Sequence, residues 1–148
     1  MKLLSRRELS IKQLRDRLDH RGHQPDDIER AIQLLIEHRY LDDDRVARAY
    51  VRTAIKVKGR GRLRVQQELA AMGIDRQIVA AAVGEAFGEV DERAAISKAI
   101  EKKLRGRAKT PVTPAEYARL YQFLLRQGFS PAAVNQALRR QRRGGDEN

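Results

Sequence analysis

Residues 124–131, Leu124-Leu125-Arg126-Gln127-Gly128-Phe129-Ser130-Pro131, contain a pattern that occurs three times in the chain. In each copy a leucine stands four residues before a glycine, and a second aliphatic residue stands eight before it. Aliphatic residues also stand six and ten positions after each glycine. The glycines are Gly22, Gly73 and Gly128, and they are 51 and 55 residues apart. A period of this length indicates a tandem repeat.

Each copy of the pattern predicts two helices joined by a tight turn. Residues four apart lie on one helical face, so the aliphatic pair before the glycine predicts a helix that ends there. Glycine suits the turn because the residue after a helix often takes the left-handed conformation. N-cap residues Asp75 and Ser130 and first-turn residues Pro25 and Pro131 start the next helix. The three glycines are therefore interpreted as structural turns within helix-turn-helix units.

The repeats predict an all-α protein. Unrelated helical hairpins with coincidental glycines are disfavoured, because four positions align in all three copies. The predicted helical repeats span residues 1–40, 41–89 and 90–143, with a short first helix within residues 1–8 and a disordered tail at 144–148. Units of about 45 residues bury little of their surface alone, so we expect the repeats to pack on one another.

The composition restricts the possible functions. There is no cysteine, which excludes disulfides, thiolate nucleophiles and cysteine-rich zinc sites. No apolar run reaches the roughly 18 residues of a membrane span, and no secretory segment begins the chain, so a cytoplasmic protein without a membrane partner is expected. The histidines His20, His23 and His38 lack partners at catalytic or metal-ligand spacing. We expect surface histidines, no enzyme activity, no cofactor and no metal.

The formal net charge of +11 favours a polyanion or an acidic protein as partner. The stretch Lys56-Val57-Lys58-Gly59-Arg60-Gly61-Arg62-Leu63-Arg64 has five cations and no acid. Its glycine amides, its guanidinium groups and the helix N-terminus that follows favour phosphate binding over a merely solvated turn. The candidate residues for binding nucleic acid or an acidic partner are Lys56, Lys58, Arg60, Arg62, Arg64, Arg139, Arg140, Arg142 and Arg143.

Two further charged stretches have more than one interpretation. Asp42-Asp43-Asp44 could hold a metal, but adjacent helical residues point in different directions and aspartate is favoured at helix starts, so a cap is preferred. The basic run at residues 98–109 could bind a ligand or simply stabilise a helix C-terminus. Residues 106–111 are predicted to be the longest loop.

Four stretches carry a resemblance to a known family. They are Leu3-Leu4-Ser5-Arg6-Arg7 with Ser10 and Leu14, Tyr40-Leu41-Asp42-Asp43 with Arg45 and Ala47, Lys58-Gly59 with Glu68-Leu69 and Gly73-Ile74, and Phe123 to Ser130. Together they resemble the RecX family, regulators of the bacterial RecA recombinase, over most of the chain. The chain departs from the family pattern at Arg39, where glycine is usual, at Val46, where phenylalanine is usual, and in its short N-terminus.

The resemblance implies three tandem three-helix repeats in an elongated or curved arrangement. It also implies binding to the RecA filament on single-stranded DNA, with double-stranded DNA as a further ligand. Separately, we expect the chain to be a monomer. Suppression of ATP hydrolysis, filament extension and strand exchange would follow, with roles in DNA repair, recombination and the SOS response. The family brings no catalytic residues and no cofactor.

Two other functions remain open on the sequence. A helix-turn-helix regulator that reads duplex DNA is disfavoured, because the helices at Pro25-Asp26-Asp27 and Asp75-Arg76-Gln77 begin with carboxylates that repel phosphate. A helical-repeat adaptor that binds only protein would leave the basic stretch at residues 56–64 without a role.

Overall fold

The computed structural model describes residues 8–105, 111 and 113–146, with side chains described as far as Arg142. These residues form eight α-helices and no strand, which confirms the all-α prediction. A membrane span needs a long and predominantly apolar helix, and the described part of the chain contains no such helix. The helices are α1 (Ile11–His20), α2 (Pro25–Glu37), α3 (Asp43–Lys56), α4 (Arg62–Ala71), α5 (Arg76–Phe87), α6 (Glu92–Lys103), α7 (Pro114–Gln127) and α8 (Pro131–Asp146).

The three repeated glycines lie at three equivalent turns. Gly22, Gly73 and Gly128 have φ angles of 89°, 77° and 106°, in the left-handed region. In each turn, the residue that follows the glycine donates a hydrogen bond from its backbone amide. The acceptor is the carbonyl of the leucine that stands four residues before the glycine. These pairs are Leu18 with His23 (3.2 Å), Leu69 with Ile74 (3.4 Å) and Leu124 with Phe129 (3.3 Å). The repeated leucine and glycine thus produce one C-cap geometry three times.

The helix starts follow the predicted caps. Ser10 and Thr113 form capping boxes with Gln13 and Glu116, and Asp91 accepts from the amide of Ala94. Each of these bonds satisfies an amide that the helix itself leaves unpaired.

The aspartate triplet also acts in capping. Asp42 Oδ1 accepts from the amides of Asp44 (3.1 Å) and Arg45 (3.3 Å), and Asp43 Oδ1 accepts from the amide of Ile11 (2.9 Å). Burial raises the pKa of Asp43, and the bond from Ile11 opposes that rise. Among the described residues, no group of three histidine or acidic side chains is placed to hold a metal ion.

The chain forms two compact units. Unit 1 comprises residues 1–52 and 66–85, and unit 2 comprises residues 53–65 and 86–148. In unit 1 the buried Ser10 hydroxyl donates to the carbonyl of Met72 at 2.6 Å. Leu9, Leu14, Ile28, Ile32 and Leu41 form a buried apolar cluster in this unit.

Unit 2 is built around α6, α7 and α8. Their facing aliphatic residues follow the spacing of the repeat, because positions four apart on each helix point to the same side. The buried core cluster consists of Ile96, Ile100, Leu120, Leu124, Phe129, Val134, Ala137 and Leu138. Leu124 and Phe129 flank the turn at Gly128 and belong to this core, so the core packs against that turn.

Several sequence predictions differ from the structure or fall outside it. Helix α8 extends to Asp146, although a disordered tail was predicted from Gly144. Extending an existing helix requires no new nucleation, which offsets part of the low helix propensity of Gly144 and Gly145. Val57 follows the end of α3 and is exposed, although it continues the apolar spacing of Val46, Ala49 and Ala54 on that helix, and Val51 lies in the core. The predicted short helix within residues 1–8, the predicted loop at residues 106–111 and residues 147–148 lie wholly or almost wholly outside the described part of the chain.

Arg39, in the turn between α2 and α3, has a φ of 62°. A left-handed conformation costs a residue with a Cβ about 1–2 kcal/mol, and it costs glycine little. The Arg39 side chain is exposed, so its loss removes no core contact. This turn therefore explains physically why glycine suits the position better than arginine.

We expect Arg39→Gly to raise the free energy of unfolding by about 0.5–1 kcal/mol, because relief of strain exceeds the added entropy of the unfolded chain. Arg21→Gly is the matched control: Arg21 is also exposed and follows a helix, but its φ is −81°. The control should lose stability. Urea unfolding of both variants measures these changes. If Arg39→Gly lowers the free energy of unfolding as much as Arg21→Gly does, the backbone at Arg39 is not strained.

Candidate functional site, a basic groove

The net charge of the chain is concentrated in unit 2. Unit 1 contains 13 basic and 13 acidic residues, whereas unit 2 contains 18 basic and 7 acidic residues, so the formal charge of +11 belongs to unit 2. In unit 1, ion pairs such as Arg15–Glu29 at 2.7 Å and Arg48–Glu85 at 3.2 Å neutralise cations. Attraction for an anionic ligand is therefore expected from unit 2.

The basic stretch at residues 56–64 is held against the turn at Gly128 by its backbone. The Gly61 amide donates to the carbonyl of Gln127 at 2.6 Å, and the Leu63 amide donates to the carbonyl of Gly128 at 3.0 Å. A Cβ added to Gly61 would lie 2.4 Å from the carbonyl carbon of Gly128. The two backbones can approach this closely only because both residues are glycine.

Two arginines of the stretch contribute to the same attachment. Arg60 Nη1 donates to Gln127 Oε1 at 2.9 Å, and Arg64 Nη1 donates to the carbonyl of Arg126 at 3.0 Å. Both side chains, which the sequence offered as candidates for binding nucleic acid or an acidic partner, are half-buried. Burial lowers the pKa of Arg60, and the nearby charge of Arg64 lowers it further. Arg60 and Arg64 therefore position the stretch, whereas Lys56, Lys58 and Arg62 are exposed.

Residues 55–62 border a groove of about 480 Å³ that lies within unit 2 and that we call the basic groove. Its cationic lining residues are Lys56, Lys58, Arg60, Arg62, Lys98, Lys102 and Lys103. Its apolar lining includes Val57, Phe87, Val90, Ala95, Ala99, Phe123 and Phe129. All three phenylalanines of the chain thus meet at one groove together with seven cations.

Helix α6 contributes three lysines of the basic run at residues 98–109, for which the sequence left both ligand binding and helix stabilisation open. Lys98 and Lys102 are four residues apart, so they share one helical face, and Ala95 and Ala99 share the neighbouring face. Lys103 Nζ lies 4.7 Å from the centroid of the Phe123 ring, a cation–π contact. The spacing of the lysines was visible in the sequence, but their approach to residues 55–62 required the fold.

The other candidate residues lie elsewhere. Arg139, Arg140 and Arg142 are on α8 and are absent from the lining of the basic groove. Arg142 lies over the ring of Tyr117, 5.6 Å from its centroid. The side chain of Arg143 lies outside the described residues. The α8 arginines are thus a separate cationic patch.

The three histidines are exposed, and none borders the basic groove. Glu92 is the acidic residue in the groove lining, and both of its carboxylate oxygens bind Ser130: Oε1 accepts from the hydroxyl at 2.9 Å and Oε2 from the amide at 3.3 Å. The arrangement therefore favours binding of an anion through cations and apolar contacts.

Comparison with known proteins gives a consistent match. Models of the first, second and third three-helix domains of RecX match residues 1–35, 42–83 and 91–138. The regulatory protein RecX of Vibrio parahaemolyticus is 36% identical over 139 residues, covering 93% of this chain and 86% of the relative. That of Halorhodospira halophila is 33% identical over 137 residues, covering 93% and 82%. A crystal structure of RecX from Lactobacillus salivarius superposes with a TM-score of 0.72 at 23% identity, covering 95% and 90%.

We expect Gly61→Ala to lower the free energy of unfolding by about 1–3 kcal/mol, because the new methyl group overlaps the Gly128 backbone. Gly84→Ala is the control, since Gly84 lies inside α5 with no atom within 4 Å of an added Cβ. It should gain up to about 1 kcal/mol from helix propensity. Chemical denaturation measures both, and equal effects would show that the backbone contact is unimportant.

Proposed function

The protein belongs to the RecX family, and from this premise we propose that it is a non-enzymatic regulator of the RecA recombinase. It binds the RecA filament on single-stranded DNA and inhibits ATP hydrolysis, filament extension and strand exchange. The observation that carries this proposal beyond family membership is the position of the net charge, since all +11 of it belongs to the unit that contains the basic groove.

A filament of protein on single-stranded DNA presents phosphates and acidic protein surface together. A concentrated positive charge accelerates association with such a target and orients the encounter. Contacts to phosphate also release counterions, which supplies sequence-independent affinity. The proposed site of action is the cytoplasm, during DNA repair, recombination and the SOS response.

The exposed side chains of the basic stretch, Lys56, Lys58 and Arg62, are the proposed contacts to phosphate or to acidic partner residues. Arg60 and Arg64 hold this stretch in place through Gln127 and Arg126. The exposed arginines of α8 are a second proposed contact surface.

Duplex reading by a recognition helix has less support. Asp26 and Asp27 lie in the first turn of α2. At the start of α5, Asp75 Oδ1 accepts from the amide of Gln77 at 2.9 Å, so a carboxylate already occupies the place where a phosphate would bind that helix N-terminus. At both helix starts the negative charge of the aspartates repels DNA.

The protein should inhibit ATP hydrolysis by RecA on single-stranded DNA at stoichiometric or lower ratios. Arg62→Glu should weaken that inhibition about tenfold, because it reverses an exposed charge at the groove. Arg76→Glu makes the same change at an exposed position of unit 1 and should have little effect. Unchanged hydrolysis at equimolar protein would refute the proposed regulation.

Binding to single-stranded DNA alone should weaken with salt. The logarithm of the binding constant should fall against the logarithm of salt concentration with a slope of about −0.7 for each phosphate contacted. Fluorescence anisotropy with labelled oligothymidine measures this slope for the wild type and for Arg62→Glu. A flat dependence would exclude a phosphate role for the basic stretch.

A further inference from the structure

We propose that the basic groove binds an acidic amphipathic helix of a protein partner. The groove has a volume of about 480 Å³, within the roughly 300–1,000 Å³ of ligand pockets. This volume can hold several side chains of a bound helix. Val57 borders the groove and is 69% exposed, an apolar residue left in water by the chain's own fold. Burying it and the apolar lining beneath a ligand is favourable.

Seven cationic residues line the basic groove, so we expect a ligand with negative charge. Among the described residues, no ion pair involves Lys56, Arg60, Arg62, Lys98 or Lys102. Arg60 Nε is buried without a hydrogen-bond partner in that same part of the chain. Carboxylates of a ligand would compensate these cations with charge-assisted bonds. Glu92 offers little opposition, because its oxygens already accept from Ser130.

A helix fits the groove better than an extended peptide does. An extended peptide must pair its own amides and carbonyls, and it usually does so by joining a sheet edge. The lining residues lie on helices or in the turns and loops that connect them, and the described chain contains no strand that could provide such an edge. A helix pairs its backbone internally and can present aliphatic residues to the groove with carboxylates on both flanks.

Nucleic acid is a poorer match for the apolar part of the groove. Proteins that bind single strands present aromatic rings on which bases stack. Here Phe129 is only 2% exposed, and Lys103 already lies over the ring of Phe123. Phosphates could still contact the rim, but bases would gain little from the buried ring of Phe129 or from the ring of Phe123 beneath Lys103. Aliphatic side chains, which need contact rather than stacking, use this lining better.

The test uses the full-length protein and a fluorescein-labelled synthetic peptide of about 18 residues, long enough for five helical turns. Leucines at helical spacing form one face of the peptide, and glutamates flank that face. The control peptide has the same composition in scrambled order. Anisotropy titration should give binding at least tenfold tighter for the amphipathic peptide than for the scrambled one.

Two protein variants locate the site. Val57→Ser and Lys98→Gln change exposed side chains of the groove and should each weaken the peptide complex about fivefold, with unchanged melting curves. Arg76→Gln, an exposed change in unit 1, should leave binding unchanged. These measurements contain no recombinase, so their failure and that of the proposed regulation can be told apart.

Three outcomes would overturn the inference. Equal binding of the two peptides would mean attraction by charge alone, and absence of binding would leave the groove without this ligand. Oligothymidine is the third arm: if it binds more tightly than the peptide and its affinity falls with Val57→Ser, the groove is a nucleic-acid site instead. Tight peptide binding that depends on both Val57 and Lys98 supports the proposal.

Discussion

The backbone contact between Gly61 and Gly128 is the constraint on which the candidate site depends. Two hydrogen bonds attach residues 61–63 to the turn between α7 and α8, and the absence of both Cβ atoms permits the approach. Because this attachment fixes one end of residues 55–62, their cations border the same groove as the lysines of α6. The core of unit 2 supports the arrangement, since Leu124 and Phe129 flank the turn and are fully or almost fully buried. Packing thus determines where the charges lie.

The same attachment brings like charges together, which opposes folding. Arg60 and Arg64 both donate to Gln127 Oε1, at 2.9 Å and 3.5 Å, and the neutral amide cannot cancel their repulsion. Partial burial of Arg60 adds a desolvation cost that is visible in its lowered pKa. Unit 1 carries equal numbers of acids and bases and shows how the same chain neutralises its charges elsewhere. A local excess of cations that costs stability is the pattern expected of a surface retained for an anionic ligand.

Local features of the fold were predictable from the sequence, because their causes are local. Turn glycines, capping boxes and the aspartate cap each depend on residues within about five positions, and the structure contains them where the pattern indicated. The exposure of Val57, just after α3, was not predictable, since its spacing continues the apolar pattern of that helix whereas tertiary packing leaves it at the border of the groove. The groove itself joins residues about 25 to 75 positions apart. No local pattern encodes that approach, although Gly61 was a visible sign of a close backbone contact.

The three repeats show how one local motif acquires different roles. All three glycines adopt the left-handed conformation, so the backbone requirement is shared. Their surroundings differ: an added Cβ would meet nothing at Gly22, the side chain of Lys12 at Gly73, and the backbone of residues 61–64 at Gly128. Gly22 is therefore needed only for its left-handed backbone conformation. Gly73 and Gly128 are also needed because a side chain there would overlap a neighbouring segment. Since the segment admitted at Gly128 is the most basic of the chain, the third turn links a structural repeat to the charged surface. Divergence among the repeats thus lies in what packs on each turn rather than in the turn itself.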